Sequence, residues 1–148
     1  MYQEWNGRLR GWGDYPGDGR WREGQMLKLQ TIMIGTEDPK GLSAFYTKVL
    51  GPPTWEDGGY TGWALGDAGV MIGAHSEVKG RNEMPGRILW NVETDDVKGE
   101  FKRIKGAGAT VVQEPYQPGP DGSDEFWMAT FEDPDGNYFQ IASPAPDM

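Results

Sequence analysis

The sequence contains no cysteine. That absence excludes disulfides, thiolate metal sites and cysteine nucleophiles together. Histidine is nearly missing as well, with His75 the sole imidazole. Basic residues are few: 14 Lys and Arg stand against 23 Asp and Glu, a formal net charge of −9. A nucleic-acid reader needs a basic face to meet phosphate, and anionic membranes favour the same sign. Neither partner is expected. No stretch approaches the ~20 apolar residues that span a bilayer, and the first residues lack the apolar core of a secretory signal. The expected location is cytoplasmic.

What is present divides unevenly. Residues 1–26 read as an arm or leader, rich in Gly, Arg, Asp and Trp with no period. Trp5, Trp12 and Trp21 make it too apolar for an inert tail, so if ordered it should pack over the domain or a partner subunit. Residues 27–148 suit one domain, long enough to bury a core without staples.

Within that domain one order of elements occurs twice, over about 27–78 and 86–144. Alternating apolar residues over 27–36 predict a strand. Asp38-Pro39 then supplies an N-cap and a first-turn proline, and Leu42, Phe45, Tyr46, Val49 and Leu50 recur at helical spacing. Gly51 and Pro52-Pro53 end that helix. Short strands around 54–57, 60–65 and 69–75 follow, separated by glycine-rich turns. The connector 75–86 leads to a strand over 87–94, and Asp95-Asp96 caps a second helix whose buried stripe is Val97, Phe101, Ile104 and Ala107. Strands at 111–112, 125–132 and 137–143 complete the repeat, with a Pro/Gly-rich loop at 116–124. Asp133-Pro134-Asp135-Gly136 reads as a turn former. The fold class is α+β: two tandem βαβββ modules whose curved, mixed or antiparallel sheets surround a cavity, one helix packed on each.

IMIGTEDPKGLSAFYTKVLG (32–51), VETDDV (92–97), KGAGATVV (105–112) and FEDPDGNYFQI (131–141) together resemble the vicinal oxygen chelate superfamily, the fold of glyoxalase I, extradiol dioxygenases and bleomycin-resistance proteins. The resemblance covers residues 27–144. It implies metal-ligand positions on the cavity face, which counting from the caps places at Thr31, Gly73, Leu89 and Gln140. A transition metal wants imidazole or carboxylate donors. None stands at these positions, so neither metal nor cofactor is expected, and glyoxalase or dioxygenase chemistry is disfavoured.

Strand alternation turns Ile32, Ile34, Trp90 and Val92 toward the helices and Thr31, Met33, Met71, Arg87, Leu89, Asn91, Tyr138 and Gln140 toward the cavity. Trp55, Trp63 and Trp127 lie on strands that border it, their side left open, with core packing the alternative for each. An apolar, aromatic hollow with a few amide anchors suits a small molecule. The expected function is metal-free capture of a hydrophobic or aromatic ligand in the inter-sheet cavity, resembling the bleomycin-resistance branch, by a homodimer. The alternative is a metal-independent isomerase, epimerase or cyclase in which His75 or Glu93 moves a proton. A metal-dependent lyase or dioxygenase ranks last.

Overall fold

The computed structural model describes residues 26–119 and 125–144, so the arm lies outside the described residues. The first module runs β1 (Thr31–Thr36), α1 (Pro39–Leu50), β2 (Trp55–Asp57), β3 (Tyr60–Leu65) and β4 (Ala68–Ala74). The second runs β5 (Trp90–Glu93), α2 (Val97–Gly106), β6 (Thr110–Tyr116), β7 (Met128–Glu132) and β8 (Tyr138–Ala142). Each module makes its own four-stranded sheet, ordered β1-β4-β3-β2 and β5-β8-β7-β6. In both, the first strand pairs parallel to the last and the remaining pairs are antiparallel. The repeat read from the sequence is therefore the α+β architecture observed, except that the sheets stay open. Among the described residues no helix is long and apolar enough to cross a membrane.

The duplication reaches down to single hydrogen bonds. Asp38 caps α1 by accepting from Gly41 N at 3.0 Å, and Asp96 caps α2 by accepting from Gly99 N at 2.9 Å. Thr36 and Thr94 Oγ1 accept from the two capping residues' own N–H groups at 3.0 and 3.1 Å. A Cβ on Gly41 or Gly99 would sit 2.2 or 2.1 Å from the aspartate Oδ2. The repeated Thr-x-Asp-x-x-Gly is thus a steric as well as a hydrogen-bonding unit that starts each helix.

The two modules share one core on their helix sides. Phe45 and Tyr46 of α1 meet Phe139 of β8 at centroid distances of 6.1 and 5.6 Å, and Tyr46 meets Trp90 at 5.8 Å. Phe139 stacks on Phe131 and Phe131 on Phe101 of α2, each at 5.4 Å. This line of rings carries apolar contact from one helix through the second sheet to the other. Arg103 of α2 adds a polar tie, donating to Lys48 O and Val49 O at 3.0 and 2.7 Å, where α1 runs out of internal donors.

Several boundaries differ from expectation, each for want or presence of a pairing partner. β1 starts at Thr31 rather than 27 because its first partner is Gly69, and only Gln30 O extends the pairing by accepting from Gly69 N. β5 starts at Trp90 rather than 87 because Pro85–Arg87 coil into a 3-10 turn. β6 is longer than expected. It is an edge strand, so Pro115 sacrifices no ladder bond on its outer side, and its register shifts twice, between Val111 and Tyr116. Ala107 is half-buried rather than buried.

Candidate functional site

Each sheet has a helix side and an open face. In the first sheet Ile32, Ile34, Val70, Ile72 and Trp63 belong to the core, which leaves the alternate residues open. The register aligns them: Met33 lies opposite Met71, Met71 opposite Gly62, and Gly62 opposite Trp55. In the second sheet the corresponding row is Asn91, Gln140, Thr130 and Gln113. One open face therefore offers thioethers and an indole, the other amides and a hydroxyl.

Glycines shape the first face. A Cβ on Gly62 would lie 2.3 Å from the Trp55 ring, and one on Gly73 would lie 2.3 Å from the Tyr60 ring. Both aromatics lie flat over the backbone, a geometry that also shields glycine in a sheet. Trp55 nevertheless remains 43% exposed, Met33 43% and Tyr60 37%. Exposed aromatic and thioether surface is thus grouped on one face of this sheet. Gly62→Ala should tilt Trp55 off the sheet with a core cost of about 1–3 kcal/mol, read as a lower midpoint of thermal unfolding and a changed indole emission.

The second face is ordered by its own bonds. Gln140 Nε2 donates to Thr130 Oγ1 at 2.9 Å, which fixes the amide plane. Asn91 and Glu93 are exposed, and Tyr138 and Gln140 half-buried. Thr31 stands exposed on β1, on the Met33 face, and Leu89 is exposed just ahead of β5.

Four sequence expectations change. Trp63 is a core residue, 3% exposed, whose Nε1 donates to Gly51 O at 2.8 Å. Trp127 also packs against the core, with Lys98 Nζ 4.0 Å from its ring centroid. Neither indole is on an open face, because each falls in phase with the buried residues of its hairpin. Arg87 sits in the 3-10 turn, outside strand alternation, and donates to Met84 Sδ at 3.5 Å. The fourth change concerns counting: Gln140 pairs with Asn91 as Met71 pairs with Met33, so the first-module equivalent of Gln140 is Met71, not Gly73. A count from turn glycines misses this because the hairpins differ in length.

The metal question can then be put to the corrected set, Thr31, Met71, Leu89 and Gln140. Its donors are one hydroxyl, one thioether and one amide, which do not fit a divalent transition metal. Among the described residues no three His, Cys, Asp or Glu side chains come together in a way that could hold one. His75, exposed at the end of β4, accepts from Glu77 N at 3.2 Å through Nδ1. No hydrogen bond among the described residues joins it to Glu93 or Tyr138.

Asp133 is the residue whose role sequence reasoning understated. It does form the turn, accepting from Asp135 N and Asn137 N at 2.9 and 3.0 Å. Its other oxygen accepts from Asn137 Nδ2 at 3.0 Å and from Tyr46 OH at 2.7 Å, 87 positions away. Burial pushes its carboxyl above the ordinary carboxylate value, and the four donors oppose that shift only in part. Burial, then the neighbouring Asp133 charge, drives the Tyr46 phenol up strongly. Both act as a structural tie between modules. Tyr60, Thr130 and Gln113 were missed, and the side of Trp55 was left open. A three-residue β2 carries too little alternation to face Trp55, although a glycine opposite an aromatic is a signal that could have found it.

The model of a glyoxalase-like domain matches residues 31–142. No curated protein matches the chain. Among solved structures, a glyoxalase/bleomycin resistance protein/dioxygenase family enzyme from Burkholderia phytofirmans PsJN superposes with a TM-score of 0.62 at 24% identity, covering 80% of this chain and 100% of that one. A glyoxalase-related enzyme from Fulvimarina pelagi gives 0.63 at 19%, covering 78% and 87%. A glyoxalase/bleomycin resistance protein from Catenulispora acidiphila DSM 44928 gives 0.57 at 18%, covering 80% and 97%. At these identities the likeness speaks for the fold.

Proposed function

This chain belongs to the glyoxalase-like domain family, and from that premise we propose a metal-independent binding protein of the bleomycin-resistance type. It captures a planar hydrophobic molecule, aromatic or heteroaromatic, against the open face of the first sheet. The observation that carries this reading is the seating of Trp55 and Tyr60 over Gly62 and Gly73 beside Met33 and Met71. Flat rings stack on the indole, and methionines conform to an irregular outline. The amide row Asn91, Gln140 and Gln113 recognises the polar edge of the guest by hydrogen bonds. A homodimer sets the thioether face of one copy against the amide face of the other, enclosing the ligand. The net charge of −9 favours a cationic guest.

Capture has more support than proton transfer. His75 Nδ1 is engaged by the Glu77 N–H, and among the described residues no hydrogen bond joins the ring to a carboxylate that would support it as a general base. The test is direct. Native protein should carry well under one transition-metal ion per chain by elemental analysis, and chelator should leave its ligand-induced thermal shift unchanged. Ethidium, a planar cation, serves as the capture probe by fluorescence. A stoichiometric metal whose removal abolishes ethidium binding would falsify the reading.

A further inference from the structure

A hollow of about 320 Å³ opens between the two sheets where β1 and β5 begin. β1 pairs only with β4 and β5 only with β8, so each presents an unpaired edge to it. Ile32 and Trp90 reach it from the core, and Leu65 and Ala68 from the β3–β4 hairpin. Leu29, Leu89 and Asn91 complete the lining from the solvent side, with Leu29 63% and Leu89 40% exposed. The hollow stays unfilled because Ala68 and the adjoining Gly69 carry almost no side chain. Among the described residues that line it none is charged, and Asn91 supplies the one polar side chain.

This hollow continues the open faces. Leu29, Thr31 and Met33 fall at alternate positions of one extended segment, which Gln30 prolongs by accepting from Gly69 N. Leu89 and Asn91 alternate in the same way at β5. Asn91 belongs to the hollow and also to the amide row, where it lies opposite Gln140. At ~3.3 Å per residue, Leu29 stands about 13 Å from Met33 along the first face. A ring seated beside Met33 and Trp55 therefore has the hollow within reach of a chain of that length.

Resting on the capture of a planar guest by the first face, we propose that the hollow is a subsite for an aliphatic arm carried by that guest. The ligand class is then an amphiphile, a flat cationic ring system bearing a hydrocarbon chain, rather than a bare ring. Each methylene that leaves water for such a lining strengthens binding about fourfold. A charged or donor-rich arm would find only Asn91 to meet it.

Acridine orange and nonyl acridine orange test this, since they share one planar cationic ring system and only the second carries the arm. Titrated by fluorescence into the full chain at dilute dye, the nonyl form should bind at least about tenfold more tightly. Ala68→Phe, which plugs the hollow, and Leu29→Ser, which lies outside every strand, should each shrink that preference. Acridine orange should bind both variants as it binds the native chain, and unfolding midpoints attest their folds. Equal affinities of the native chain for the two dyes would overturn the subsite and leave ring capture standing. A preference undiminished in both variants would overturn it too, because the arm would then lie elsewhere. Failure of acridine orange itself to bind would remove the capture reading and the subsite together.

Discussion

Replacing Asp133 by alanine should cost about 3–5 kcal/mol of stability. The side chain satisfies four donors at once. Removing it strands the Tyr46 hydroxyl in the core and releases the turn that seats Asn82 of the connector through Asn137. Total stabilities of ~5–15 kcal/mol make such a loss a large fraction, and denaturant unfolding measures it. Asp133→Asn keeps the shape but sets an amide donor against the Asn137 amide, so a cost of about 1–3 kcal/mol is expected.

The pH dependence separates charge from shape. The Asp133 carboxyl is raised above 3.8 in the folded protein by burial. The fold therefore holds this proton more tightly than the unfolded chain does. Its contribution is full below 3.8 and is lost as pH rises through the folded value. Hence the stability gap between the native protein and Asp133→Asn should narrow with rising pH across that window. A gap that widens or stays level would show that hydrogen bonding to the carboxylate outweighs its burial.

Two tryptophans on adjacent strands should respond oppositely to truncation. Trp55→Ala removes a half-exposed ring from the open face. It should weaken ethidium capture by about 2 kcal/mol or more, some thirtyfold in Kd, with a small change in unfolding midpoint. Trp63→Ala excavates the core and strips Gly51 O of its indole donor. It should cost about 3–5 kcal/mol of stability while the protein that remains folded binds as before. Titration and thermal unfolding on the same two samples decide the matter. Equal binding by Trp55→Ala and the native chain would remove the first face from consideration.

How far these sites could be read in advance depended on the range of the interactions that make them. The caps were legible because Asp38 with Gly41 and Asp96 with Gly99 act within one helical turn, and so was the order of elements between glycine and proline turns. Ile32, Ile34, Trp90 and Val92 were faced correctly because long alternation specifies a side. Trp63, Trp127 and Trp55 resisted that logic, since their facing depends on cross-strand partners such as Gly62. Arg87 escaped it because a proline just upstream turns the chain before the strand begins.

By itself, then, the amino-acid order determined two βαβββ modules, their helix caps and the scarcity of thiolate and imidazole donors, because local periodicity, turn chemistry and composition need no knowledge of distant residues. Only the tertiary structure decided that Met71 answers to Gln140, that Trp55 rather than Trp63 meets solvent, and that Tyr46 is bound to Asp133. Each of those facts is a pairing across many residues, created when sheet register and shared burial bring separate segments together.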